Sequence, residues 1–224
     1  SRLWVLRQQV FGLGKAQVLA TAPLPWRSVG HSHHAFFKES FVDELAHAAH
    51  VDPVEFRRGM LASHPRHLAV LNAAVERAGK ASQSRAHGVA LHACFGSVVA
   101  QVAEVSIDQG KPRIHKITCA IDCGTVVNPE IVEQQIESAI AYGLSAALYG
   151  EVRVHEGRVA QKNFNDMPML RIDEMPEVEV VIIPSTAAPE GVGEPGTPPV
   201  APAVANALFN LTGKRLRSLP LRLS

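Results

Sequence analysis

Gly191-Val192-Gly193-Glu194-Pro195-Gly196 is the stretch whose reading decides the fold. Its letters spell G-x-G-x-x-G. As a dinucleotide fingerprint it would imply a doubly wound parallel sheet. Such a fingerprint must follow a strand at once and open a helix, so that the helix N-terminus faces a pyrophosphate. Here the nearest strand pattern, Val178 to Ile183, ends several residues earlier, and a carboxylate sits where it would repel a phosphate. The nicotinamide or flavin reading is therefore set aside. Two readings remain. The loop is structural and its glutamate solvated, or the flanking glycines let a bulky group approach a carboxylate that Pro195 stiffens, which suits a general base.

Working outward, the loop leads into an apolar helix from about Pro199 to Leu211. Thr197 is its candidate cap and Gly213 its stop. A strand, Arg215 to Leu219, is expected to close the chain. Upstream, Val89 to Ala93, Val98 to Ile107 and Arg113 to Ile121 read as strands, with Gln109-Gly110 as a hairpin turn. Asn128-Pro129 opens a helix to about Leu148 that is rich in small residues. Val152 to Val154 and Arg158 to Gln161 suggest a hairpin around Glu156-Gly157. Three helices precede the strands. The first carries Phe37, Phe41, Val42, Leu45 and Ala49 on one face. The second starts at Asp52-Pro53-Val54-Glu55, a capping box with proline in first place. The third shows Leu68, Leu71, Val75 and Ala78, and stops at Gly79. Leu3 to Leu13 reads as a strand. Strands and helices come in mixed order, so the fold class is α+β, with mixed sheets and packed helices. Residues 1–80 form a mainly helical part and residues 81–224 an α+β part.

Composition narrows the function. The formal net charge of +1 comes from scattered residues, which excludes a general nucleic-acid binder. The short Lys214-Arg215-Leu216-Arg217 run reads as a solvated edge strand. No run reaches the roughly 18 apolar residues of a membrane span, and no targeting segment is read, so localisation stays open. Three cysteines suggest no disulfide framework, and Cys119 and Cys123 lie in an apolar run as buried thiols.

The loop together with Thr197-Pro198-Pro199-Val200-Ala201-Pro202-Ala203, Ala205-Asn206-Ala207 and Thr212-Gly213-Lys214-Arg215 resembles the C-terminus of the xanthine oxidase family. More narrowly it is similar to the large subunit of the isoquinoline 1-oxidoreductase and aldehyde dehydrogenase branch. Three further blocks agree, in the family's order: Trp26-Arg27-Ser28-Val29-Gly30-His31-Ser32 with Glu39 to Ala46; Phe95 to Ala103; and Val127-Asn128-Pro129 with Gln135 and Gly143 to Glu151.

The resemblance implies a molybdenum hydroxylase that hydroxylates an N-heteroaromatic or aldehyde carbon with oxygen from water. The metal would be held by a pyranopterin, as molybdopterin cytosine dinucleotide. Glu194 matches the glutamate that acts as general base toward a hydroxyl on molybdenum. Gln135 matches a glutamine on the pterin side, where small residues would give the ligand a low surface. Arg27 and Gly30 match a loop lining the metal site, and Gly193 belongs to the Glu194 loop. No protein side chain is expected to bind metal, so His31, His33 and His34 are not read as a cluster. Implied partners are the rest of the large subunit, an iron–sulfur subunit and a small heteroaromatic or aldehyde substrate. Ser138 and Ala139 stand where the family has glycines, Met167 where it has an aromatic residue, and Ala93-Cys94 where Glu-Ser is commoner. A silent fragment that binds no cofactor is the alternative.

Overall fold

A computed structural model describes residues 26–223; the expected strand Leu3 to Leu13 lies outside the described residues. In chain order the elements are α1 (His31–Ala48), α2 (Pro53–Met60), α3 (Pro65–Ala78), β1 (Ala86–Cys94), β2 (Ser97–Asp108), β3 (Lys111–Asp122), α4 (Pro129–Leu148), β4 (Val154–His155), β5 (Arg158–Val159), a 3₁₀ turn (Phe164–Asp166), β6 (Glu177–Ile182) and α5 (Val200–Thr212). No helix among the described residues is long and apolar enough to cross a membrane.

Two tight turns build the sheet. Gln109-Gly110 joins β2 to β3 with φ of 48° and 77°, and Phe95-Gly96 joins β1 to β2 with φ of 51° and 78°. Both central residues are left-handed, the geometry that matches strand twist in two-residue hairpins. The strand order is β1-β2-β3-β6, antiparallel except for β6, which lies parallel to β3. This is an α+β sheet and not a doubly wound one. The G-x-G-x-x-G letters fall in a long loop between β6 and α5, touching the end of neither.

The sheet is covered on both faces, which is why β2 reads as one apolar run without polar alternation. Val70, Leu71 and Ala74 of α3 pack on Val89, Leu91, Val98, Ala100, Val102 and Ala120. The opposite face presents Val99, Ala103, Ile117, Cys119 and Ile121 to α4, α5 and Phe36 of α1. Gly88 lets α5 lie directly on β1: a Cβ there would come within 2.1 Å of Ala203 O and Ala207 N.

The helix boundaries follow their caps. Asp52 accepts from the amides of Val54 and Glu55, and Asn128 from Ile131. Glu55, however, pairs with Arg58. Gly79 and Gly213 end α3 and α5 with φ of 65° and 69°.

Three expectations need correction. In α1 the buried face is Ala35, Phe36, Glu39, Val42, Asp43 and Ala46, whereas Phe37 and Phe41 are exposed. The helix turns two carboxylates inward because Arg57 and Arg215 meet them there. Thr197 does not cap α5: Pro199 holds that place, and the Thr197 hydroxyl donates to Ala139 O at 3.3 Å. Residues 215–219 form no strand. Arg215 instead donates to Asp43 at 2.7 Å with its guanidinium over the Phe209 ring, and Arg217 reaches Glu44 at 2.6 Å.

Glu104 makes acid stability testable. Burial alone would raise its pKa. Hydrogen bonds from Arg85 at 2.6 Å, His87 at 3.2 Å and the Ser82 amide at 3.3 Å outweigh that and hold it at about 2. The folded value lies below the ordinary 4.5, so this stabilisation is complete above about pH 4.5 and fades as pH falls toward about 2. Glu104→Gln is expected to flatten the loss of stability across that window, measured as urea midpoints against pH. An unchanged slope would show that the cluster contributes nothing there.

Candidate active site

The loop carrying Glu194 is fastened before its carboxylate is considered. Ser97 at the start of β2 donates to Gly191 O at 2.8 Å, and buried Gln101 donates to Gly196 O at 2.7 Å. The Thr197 amide returns to Glu194 O at 3.1 Å. Gly196 rests on α4, where a Cβ would lie 2.8 Å from that of Ala139.

The segment before α1 closes over this loop. Ser28 donates its amide to Glu194 Oε1 at 3.0 Å and its hydroxyl to Glu194 O at 2.7 Å. To do so Ser28 and Val29 take φ of 69° and 48°. That is a costly conformation for a β-branched residue, and surrounding contacts must hold it. Arg27 clamps the same loop. Its Nε and Nη2 donate to Gly193 O at 2.9 and 2.5 Å, and Nη1 donates to Ser138 Oγ at 2.9 Å. Longer contacts of 3.4 Å run from Nη2 to the backbone and side-chain oxygens of Gln135. Burial draws the Arg27 pKa down, while Tyr142 and Glu194 oppose that shift. Trp26 stacks on Tyr142 of α4, ring centroids 4.9 Å apart.

Arg27, Gln135, Gly193 and Glu194, which lie up to 167 residues apart in the chain, thus meet in one group. Gly30 does not join it. It precedes α1 with φ of −70°, and its nearest neighbours for a Cβ are His33 and His34 at ordinary distance. Nothing in that geometry requires a glycine. Two of the small residues of α4 pack inward. Ala139 and Gly143 face the loop and Val200, where they permit close packing. The outward face bears Gln135, Ser138 and Tyr142.

Sequence reasoning missed Ser28, Ser97 and Gln101. Gln101 had a visible signal, a lone amide within an apolar strand run. Ser28 had none, because only its left-handed backbone turns its amide toward Glu194.

The donor set fits one flank of a polar, anionic cofactor. Arg27 is cationic, and Gln135 keeps amide N–H groups that bond nothing among the described residues while its Oε1 engages Arg27. Glu194 has one oxygen fixed by Ser28 and the other without a hydrogen-bond partner among the described residues. A separate cleft lies between the Gln109-Gly110 turn and Leu221–Leu223; of the two carboxylates that line it, Asp108 and Glu174, the second is engaged by Tyr149.

Comparison with known proteins identifies the family. Residues 26–176 match the family described as molybdopterin cofactor-binding domain. The chain is 36% identical over 204 residues to the beta chain of isoquinoline 1-oxidoreductase from Brevundimonas diminuta, covering 88% of this chain and 26% of that protein. It is 35% identical over 218 residues to a nicotinate dehydrogenase subunit from Pseudomonas putida, covering 87% and 18%. The chain therefore spans about a quarter or less of the length of these relatives. In fold it resembles the aldehyde oxidoreductase of Desulfovibrio gigas, with a TM-score of 0.65 at 14% identity, over 87% of this chain and 40% of that one. The four-stranded sheet, the clamped loop and the family match over residues 26–176 lead to one assignment: the chain belongs to the molybdopterin cofactor-binding domain family.

Proposed function

We propose that this chain forms one flank of the active site of a molybdenum hydroxylase, which oxidises an N-heteroaromatic or aldehyde carbon with oxygen from water. The observation that carries the reading is the state of Glu194. One carboxylate oxygen is tied to the Ser28 amide, and the other is left to accept a proton. When bound, the molybdenum cofactor supplies the two-electron redox chemistry that such a hydroxylation needs. Glu194 takes the proton from the attacking oxygen nucleophile, a role in which a rigidly placed carboxylate is effective. Arg27 holds Gly193 and hence the loop, and Gln135 offers amide donors to the pterin. The cofactor is taken as the cytosine dinucleotide form, and electrons leave through an iron–sulfur partner subunit.

Gly193 and Ser138 are exposed, so the site is open on one side. A pterin bound here alone would keep many polar groups without partners, at a cost in binding energy. This chain by itself is therefore expected to retain no stoichiometric molybdenum, whereas the same residues within the complete large subunit do. Elemental analysis of both preparations tests this. A full equivalent on the isolated chain would show that it is not merely a flank.

Ser138→Gly, made in the complete enzyme, removes one acceptor of Arg27 and leaves its contacts to Gly193 and Gln135. Molybdenum content is expected to hold or rise. The unfolding midpoint should drop by the equivalent of about 1 kcal/mol for glycine within a helix. Lower occupancy in a fully folded variant would argue against placing this face of α4 beside the cofactor.

A further inference from the structure

We propose that His31, His92 and Cys94 form a second metal site, of the zinc class, where α1 meets the end of β1 beside Glu194. His31 Nδ1 and His92 Nε2 lie 2.9 Å apart, and one ligand atom from each of the three residues falls within 4.8 Å of the others. The placement follows from the fold. His92 and Cys94 are two apart on β1, so they project from the same face of the sheet. His31 is the first residue of α1, carried there by the same segment that reaches Glu194 through Ser28. The Phe95 ring packs edge-on against His31 at 5.1 Å and walls one side.

A lone hydrogen bond between the imidazoles is the simpler account, but it leaves much unexplained. His92 is 7% exposed; its Nδ1 has no partner among the described residues, and its Nε2 is the nitrogen held toward His31, with a buried thiol two residues along the same strand that the imidazole pair does not account for. Burial lowers its pKa to about 3, and Lys38, His31 and His34 nearby add to the shift. It is therefore a neutral imidazole, the form that binds metal. Cys94 is likewise buried, and burial together with the Glu194 charge raises its thiol to about 12. A divalent cation at the sulfur offsets that cost, since metal coordination deprotonates a thiol. On binding, the thiol releases one proton to solvent and the sulfur takes the metal in its place. The thiolate and the nearby Glu194 then offset the cation's two charges.

Two imidazoles and a thiolate suit zinc, with water in the fourth position. Zinc–nitrogen bonds of about 2.0–2.1 Å at a tetrahedral angle separate the nitrogens by about 3.3 Å. The present pair would need to open by only a few tenths of an ångström as the sulfur closes in. The site would tie residues 26–31 to β1 and set a cation beside the proposed base. Its three ligands are residues to which the molybdenum reading gives no role, and it can be tested without that cofactor.

The test is a cobalt(II) titration of the full chain, with zinc(II) as competitor. One equivalent is expected to bind, with a near-ultraviolet thiolate-to-cobalt charge-transfer band that zinc abolishes. Cys94→Ser should remove that band. His92→Ala should weaken binding by more than the roughly 10–100-fold that loss of an outer-shell partner costs. Cys119→Ser and Cys123→Ser should leave the band intact. Near-ultraviolet circular dichroism of each metal-free variant confirms that it is folded. A folded wild-type chain without the band would overturn the proposal, as would a band that survives Cys94→Ser.

Discussion

Glu194→Gln in the complete enzyme is expected to lower kcat and kcat/KM together by about 10²–10⁴-fold, with molybdenum content and folding close to those of the wild type. The structure supports separating chemistry from architecture at this residue. Its backbone oxygen accepts from Ser28 Oγ and from the Thr197 amide, neither of which the substitution touches. Glutamine retains an oxygen for the Ser28 amide, so the remaining side-chain contact also survives. What is lost is the capacity to accept a proton. Because that proton moves in the transition state and not on docking, the loss should fall on kcat and not mainly on KM. A purely structural Glu194 would behave differently, with little loss of turnover per molybdenum and a lower unfolding midpoint. Turnover within a few-fold of wild type at equal molybdenum content would remove Glu194 from the chemistry.

The sequence disclosed this site unevenly, for physical reasons. Glu194, its glycines and Pro195 form a local pattern, and local chemistry is legible in one dimension. The caps Asp52 and Asn128, the stops Gly79 and Gly213, and the Gln109-Gly110 turn were legible for the same reason. The inward face of α1 was not. Hydrophobicity ranks Phe37 and Phe41 above Glu39 and Asp43, yet the carboxylates are buried because arginines from elsewhere reach them. The terminal segment failed in the same way. Its alternation of Leu216 and basic residues suggested a strand, but Arg215 and Arg217 are spent on α1, 172 and 173 residues away in the chain. The meeting of His31 with His92 and Cys94 is also invisible to spacing, because 61 residues separate the two histidines.

The buried charges that misled the reading of α1 carry the largest expected effect on stability. Arg57 is 3% exposed. It donates to Glu39 Oε2 and Glu39 O, both at 3.0 Å, and to Pro53 O at 3.0 Å, with Asp43 at 3.7 Å. Glu39 Oε2 also accepts from the Leu91 amide at 3.0 Å, and Asn206 of α5 donates to Glu39 O and Val89 O. One network therefore joins α1, α2, β1 and α5. Arg57→Met keeps much of the side chain's bulk but leaves the buried Glu39 carboxylate only the half-exposed Lys38, 3.3 Å from its other oxygen, as counter-charge. Breaking a buried pair in this way costs about 3–5 kcal/mol, more than most single substitutions. Adding Glu39→Gln removes the stranded charge while keeping an oxygen for Leu91. The double variant is therefore expected to be more stable than Arg57→Met alone, a non-additivity that reports the pair itself. Denaturant unfolding of the wild type, both single variants and the double variant measures it. Additive losses, or an Arg57→Met cost below about 1 kcal/mol, would show that the charges are solvated and not coupled. Because α1 carries residues 26–31 at its start, loosening this network should also slacken the hold of Ser28 on Glu194. In the complete enzyme, turnover per molybdenum should then fall in Arg57→Met and recover in the double variant.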